Sequence, residues 1–288
     1  MGPLVILGPG NLGLSLARHA AERGLEVRLV GRTCAQAEHG IHKITAAWHQ
    51  AQEKDNLDPE TFRARVCRLH SVENLEQALE AASCLVEALP ESLALKATCW
   101  RAIWAAMPEN TLPLTASSSL PAGLIRKNAG LGPGLQNFHV FVPVHRHPLV
   151  ELASPKDTPP AYLAGARELA VSLGLHIVDV NESQGLAASR MGLAQGLEAM
   201  RLLQNGHGSI QGLDALMTLG YGHPCGPLEL SDRIGLDLRL TIADFYHETT
   251  GNPAFAPPAI LKEKVAKGEL GRKSGKGFYV WTPGGTKA

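Results

Sequence analysis

Leu4-Val5-Ile6-Leu7-Gly8-Pro9-Gly10-Asn11-Leu12-Gly13 stands near the start of the chain, and Val27-Arg28-Leu29-Val30-Gly31-Arg32-Thr33 follows one helix-length later. Four apolar residues bounded by glycine read as a buried strand, and the apolar spacing over 12–23 reads as a helix. The turn between them is spaced G-x-G-x-x-G. A glycine triplet alone is a weak signal, because any tight strand-turn-helix corner favours glycine. Placed directly after a strand and at the mouth of a helix, it acquires a mechanism. Gly8 permits the tight turn, Gly10 lets the backbone approach a pyrophosphate, and Gly13 lets the helix lie close to the strand. The first helical turn, with Asn11 and Leu12, then offers unpaired N–H groups to an anion. The stretch predicts a cradle for a dinucleotide.

The end of the second strand bears on which dinucleotide. An NAD-binding chain usually has Asp or Glu here, about 20 residues beyond the loop, to bond the ribose 2′-hydroxyl. This chain has Gly31 and then Arg32. The glycine removes a charge that would repel a 2′-phosphate, and the guanidinium offers a two-pronged donor to one. The reading therefore favours NADP. The alternative is a solvated Arg32, or one that stacks on adenine with NAD bound.

The chain has 288 residues, 27 basic and 27 acidic, and is 44% hydrophobic. This composition suits a globular chain and gives no global attraction to nucleic acid or to an anionic membrane. No apolar run reaches the roughly 18 residues of a membrane span. No charged leader is expected ahead of Leu4, and Cys34, Cys67, Cys84, Cys99 and Cys225 are scattered and odd in number. Reduced thiols in a cytoplasmic protein without a metal are expected. His145 and His147 flank Arg146, but no third metal ligand accompanies them.

Strand patterns at 4–7, 26–30, 68–70, 84–88, 112–116, 136–141 and 176–180 are interleaved with helical stretches at 12–23, 35–56, 75–82 and 94–107, the stretch 59–68 leading into the third strand. That alternation predicts parallel strands joined by crossovers. Beyond 181 the texture turns helical, at 186–204, 210–217 and 236–246, with one last strand pattern at 278–280. The boundary is expected near residue 182, with an α/β dinucleotide-binding domain over 1–182 and an all-α domain over 183–288.

Further stretches carry a family resemblance. They are Ser117-Ser118-Ser119-Leu120, His139-Val140-Phe141-Val142-Pro143 with Leu149-Val150-Glu151, Gly222-His223-Pro224-Cys225-Gly226-Pro227-Leu228-Glu229-Leu230, and Gly271-Arg272-Lys273-Ser274-Gly275-Lys276-Gly277-Phe278-Tyr279. Together they resemble the L-3-hydroxyacyl-CoA dehydrogenase family, including the short-chain 3-hydroxybutyryl-CoA dehydrogenases, from residue 3 to about 281. The resemblance implies an α/β Rossmann domain followed by an all-α C-terminal dimerisation domain, and a homodimer. It makes His139 the catalytic base, Glu151 the residue that orients it, and Ser118 the donor to the substrate oxygen. Ser189 falls where the family has an active-site asparagine, and Glu91 and Lys96 fall where it contacts the nicotinamide half of the cofactor.

The chemistry asks for such a pair. Oxidising a secondary alcohol removes a hydroxyl proton as hydride departs, and an imidazole titrating near neutrality can take that proton. A carboxylate behind the ring fixes its tautomer and stabilises the imidazolium. The sequence also departs from the family. Val142 replaces the asparagine of H-F-F-N-P, Ser189 replaces a second one, and the family's coenzyme A contacts match Ile44 and Ala51, with Lys43 or Lys54 as substitutes nearby. The expected activity is reversible oxidation of a short-chain L-3-hydroxyacyl-CoA to the 3-ketoacyl-CoA with NAD(P). The rivals are a dehydrogenase of a free 3-hydroxy acid, like the carnitine or gulonate enzymes, and a cofactor-binding protein with structural or sensing duties.

Overall fold

A computed structural model describes residues 2–54 and 56–288; Met1 and Asp55, the latter inside the helical stretch expected at 35–56, lie outside the described residues. The chain divides into two compact units, Met1–Leu186 and Ala187–Ala288.

The first unit runs β1 (Leu4–Leu7), α1 (Asn11–Glu22), β2 (Val27–Val30), α2 (Cys34–Glu53), α3 (Pro59–Val66), β3 (Leu69–Ser71), α4 (Leu75–Leu79), β4 (Cys84–Glu87), α5 (Leu93–Ala106), β5 (Leu112–Thr115), α6 (Ala122–Ala129), β6 (Gln136–Val140), β7 (Leu149–Ala153), α7 (Pro160–Ser172) and β8 (His176–Asp179). The strands form one sheet in the order β3-β2-β1-β4-β5-β6-β7-β8. β1 to β6 are mutually parallel, β7 pairs antiparallel with β6, and β8 is parallel to β7. The central strands are buried on both faces, which is why their sequences read as continuous apolar runs rather than alternating ones. Leu4, Ile6, Leu29, Val86, Leu114 and Phe138 from the sheet pack with Leu16 and Trp48 from the helices.

Helices α2, α3, α4 and α5 begin on side-chain caps, from Thr33, Asp58, Asn74 and Ser92. α1 does not. It starts at Gly10 with no side-chain cap and no acidic residue in its first turn. Its N–H groups and the positive end of its dipole are left for something else.

The structure corrects the sequence reading in several places. Leu149–Ala153, quoted above only as a motif, is a strand. Helices α3, α6 and α7 are also additions. The compact units part after Leu186, and the N–H groups of Gly185 and Leu186 donate to the carbonyls of Ser119 and Ser118, 2.9 and 3.0 Å away. In the second unit, α8 (Ala187–Gln204), α9 (Ile210–Ala215) and α11 (Leu236–Thr250) answer to the expected helices, while α10 (Pro227–Ile234) and α12 (Ala259–Ala266) do not. Leu193, Leu197, Met200, Leu228 and Tyr246 form its core. Residues 278–280 make an isolated bridge, Lys276 with Val280, and no strand. The buried Asp232 carboxylate takes the place of a ladder there, accepting from Phe278 N, Tyr279 N and Trp281 Nε1 at 2.9, 2.8 and 2.9 Å. Among the described residues no helix is long and apolar enough to cross a membrane.

Candidate active site

The glycine loop leaves β1 at its carboxyl end. Gly8 has φ 111°, and a Cβ there would lie 2.7 Å from the Ala88 carbonyl oxygen. A Cβ on Gly13 would overlap the Gly8 carbonyl, so both positions are closed by the protein itself. Gly10 is different, because a Cβ there would meet nothing within 4 Å. Nothing in the fold demands glycine at that place. The open space beside it, at the uncapped amino end of α1, fits a bound pyrophosphate that must approach the backbone closely.

At the end of β2, a Cβ on Gly31 would come within 2.9 Å of the Thr33 carbonyl oxygen and 3.1 Å of Gln36 Oε1. Gln36 Oε1 is held there by the Arg32 N–H at 3.0 Å. Any side chain at position 31 would therefore crowd the Thr33 carbonyl and Gln36. The Arg32 side chain is exposed and has no protein partner among the described residues.

His139 and Glu151 face each other across the β6–β7 ladder. His139 Nδ1 lies 2.9 Å from Glu151 Oε2, and both residues are buried. A carboxylate accepts from Nδ1–H, which leaves the lone pair of the neutral ring on Nε2. Nε2 has no protein partner among the described residues. The Phe141 ring lies 4.7 Å from the imidazole, centroid to centroid, and limits the ring's freedom.

The serine loop follows β5. Ser117 Oγ, Ser119 Oγ and Ser119 N all donate to Glu91 Oε1, at 2.6, 2.6 and 2.8 Å. From the other side, Asn137 Nδ2 donates to the carbonyls of Ser117 and Leu120 at 3.1 and 3.0 Å. Asn137 stands two residues before His139 on β6, hence on the same face of the strand. Ser118, between the two gripped serines, is half-buried and its hydroxyl has no protein partner among the described residues.

Lys96 is 1% exposed. Its Nζ donates to Glu87 Oε1 at 2.7 Å and to the Leu89 carbonyl at 3.0 Å, and lies 3.6 Å from Glu91 Oε2. Glu87 is wholly buried and also accepts from Trp100 Nε1, Thr115 Oγ1 and Leu89 N, at 3.2, 2.8 and 2.6 Å. Burial pushes the Glu91 carboxyl up, but Lys96 and the hydrogen bonds from Ser117 and Ser119 outweigh it and hold the group below the usual range.

The first unit thus assembles Gly8, Gly10, Asn11, Leu12, Gly13, Gly31, Arg32, Glu91, Lys96, Ser118, His139 and Glu151. Ser189 belongs to the helical unit, where its hydroxyl lies 2.9 Å from the Tyr246 hydroxyl. Ile44 is 4% exposed and packs in the core, whereas Lys43 is exposed. Sequence reasoning missed Gln36, Glu87, Thr115 and Asn137. Glu87 left a trace, since a carboxylate ending an otherwise apolar strand needs a buried partner.

A dinucleotide cradle on a mostly parallel sheet, with an imidazole–carboxylate pair on the same sheet, defines a nicotinamide-dependent dehydrogenase. Residues 4–183 match the NAD-binding domain of 3-hydroxyacyl-CoA dehydrogenase, and residues 185–281 match its C-terminal domain. The chain belongs to the 3-hydroxyacyl-CoA dehydrogenase family. It is 30% identical over 276 residues to a probable 3-hydroxybutyryl-CoA dehydrogenase of Bacillus subtilis, covering 96% of each chain. It is 28% identical over 284 residues to the mitochondrial hydroxyacyl-coenzyme A dehydrogenase of Sus scrofa, covering 96% of this chain and 90% of that one. The crystal structure of (S)-3-hydroxybutyryl-CoA dehydrogenase PaaH1 from Ralstonia eutropha superposes with a TM-score of 0.90 at 28% identity, covering 97% of this chain and 99% of that chain.

Proposed function

We propose that the chain reversibly oxidises a short-chain L-3-hydroxyacyl-CoA to the 3-ketoacyl-CoA and prefers NADP. The observation that carries the reading is the His139–Glu151 pair, in which His139 Nε2 has no protein partner among the described residues and can work as a base. In the oxidative direction Nε2 takes the hydroxyl proton, Glu151 stabilises the imidazolium, and Ser118 donates a hydrogen bond to the reacting oxygen. A nicotinamide held by the glycine cradle would supply the hydride acceptor. In reverse, the imidazolium returns the proton to the new alkoxide.

The short-chain thioester is supported by the names of the relatives from B. subtilis and R. eutropha. The NADP preference is supported by the lack of a carboxylate at Gly31 and by the exposed Arg32, whose side chain has no protein partner among the described residues. A free 3-hydroxy acid is the second reading, favoured by the burial of Ile44 at a position matched to a coenzyme A contact. The test follows reduced-cofactor absorbance with acetoacetyl-CoA against acetoacetate, each with NADPH and NADH. Turnover of acetoacetyl-CoA with NADPH preferred is expected. Turnover of the free acid alone overturns the thioester, and a clear NADH preference overturns the cofactor assignment.

We also infer a homodimer formed through the helical unit. Leu216, Leu219 and Tyr221 are 65%, 86% and 77% exposed there, which is unusual for large apolar side chains on a monomer. Light scattering is expected to give twice the chain mass, and Leu219→Asp to reduce it to one. The five cysteines are free, which supports a cytoplasmic, reducing setting.

A further inference from the structure

Glu91 and Lys96 fall where the family resemblance implies contact with the nicotinamide half of the cofactor, yet their bonds run inward. We propose that Glu91 is a positioning residue that aims Ser118 at the reacting oxygen, with Lys96 and Glu87 fixing its carboxylate in place. The proposal rests on the reading of Ser118 given above.

Three consecutive serines lie in one loop, and their hydroxyls are treated differently. Those of Ser117 and Ser119 converge on the same oxygen, Glu91 Oε1, at 2.6 Å each, and the Ser119 N–H joins them at 2.8 Å. The Ser117 hydroxyl also accepts from Leu120 N at 3.0 Å. With both neighbours tied to one atom, the backbone at Ser118 has little freedom to turn. Asn137 holds the carbonyls of Ser117 and Leu120 from the β6 side, which closes the clamp. Among the described residues, the one hydroxyl of the three without a protein partner is the central one.

The carboxylate is itself braced. Lys96 lies between Glu91 and Glu87, and Glu87 also receives Thr115 Oγ1 at 2.8 Å. The Thr115 hydroxyl in turn accepts from Ser117 N at 3.3 Å. Glu87 and Glu91 therefore hold the same loop, one at its root and one at its tip, and share a single buried ammonium. A hydroxyl that must meet an oxygen developing charge gains from such fixing, because a misplacement of about 1 Å can cost about a hundred-fold in rate.

Steady-state reduction of acetoacetyl-CoA by the full chain tests this with Glu91→Gln, Ser118→Ala and the double variant. Glu91→Gln is expected to lower kcat about ten- to a hundred-fold and leave the cofactor KM unchanged. In the Ser118→Ala background the same substitution is expected to add nothing, since its effect passes through Ser118. If Glu91→Gln does not fold, Ser117→Ala with Ser119→Ala releases the grip from the other side and is expected to give the same kcat loss. A raised cofactor KM at unchanged kcat makes Glu91 a cofactor contact and overturns the proposal. So do losses that multiply in the double variant. A wild-type rate for Ser118→Ala removes the reading beneath it, and the proposal with it.

Discussion

His139 and Glu151 are cross-strand partners: the antiparallel register of β6 and β7 sets them opposite, with Nδ1 2.9 Å from Oε2. The register explains their spacing of twelve in the sequence. The chain leaves β6, reverses over 141–148 and returns alongside, and opposed residues of an antiparallel pair share a face. Glu151→Gln keeps the shape and loses the charge that stabilises the imidazolium. A kcat about 10²–10⁴-fold lower is expected in steady-state acetoacetyl-CoA reduction, with little change in substrate KM.

Arg32→Ala is expected to raise the KM for NADPH about ten-fold while leaving NADH unaffected, the effect of about 1.4 kcal/mol for one charge-assisted contact. Gly31→Asp is not expected to create an NAD enzyme. The Thr33 carbonyl and Gln36 occupy the space its Cβ would need, so both cofactors are expected to bind worse. Steady-state KM values with each cofactor check both variants.

Glu22 joins three helices. Its Oε1 accepts from Trp48 Nε1 at 2.7 Å and from Arg18 Nε at 2.9 Å, with Arg65 3.8 Å away. Burial pushes its carboxyl up, but the bonds from Trp48 and Arg18 outweigh this and hold it below the usual range. A carboxyl depressed in the folded state contributes stability above its unfolded value and loses it as pH falls through the folded value. Glu22→Gln is therefore expected to lower Tm at neutral pH, with the difference from wild type fading as pH falls through the carboxylate range. Thermal unfolding across that range is the check.

Asp232 uses one oxygen for Phe278 N and the other for Tyr279 N and Trp281 Nε1. Either orientation of the amide in Asp232→Asn sets its NH2 against at least one of those donors. A loss of about 1–3 kcal/mol is expected, read by denaturant unfolding, with Trp281 fluorescence changing first as the C-terminal segment loosens.

The core strands were legible because each is a short apolar run between turn signals. The cradle was legible because its glycines answer to local backbone needs. What escaped shares physical causes. Helices α3, α6, α7, α10 and α12 all begin at or just after a proline, at Pro59, Pro121, Pro159, Pro227 and Pro258. Proline reads as a breaker, yet its fixed φ and missing N–H suit a first turn. β7 escaped because its apolar positions sit beside Glu151, whose charge hides a strand whose partner is known only from the fold. Glu91 and Lys96 were legible as positions, but that their bonds face inward depends on Glu87 and the serine loop, which are distant in sequence.

The account's centre is the proton chemistry of His139. The most direct test is kcat/KM for acetoacetyl-CoA reduction with NADPH, measured for wild type and His139→Gln under one set of conditions. Wild-type turnover with a loss of about 10²–10⁴-fold in the variant is the expected result. A variant as fast as wild type would remove His139 from the reaction and contradict the assignment.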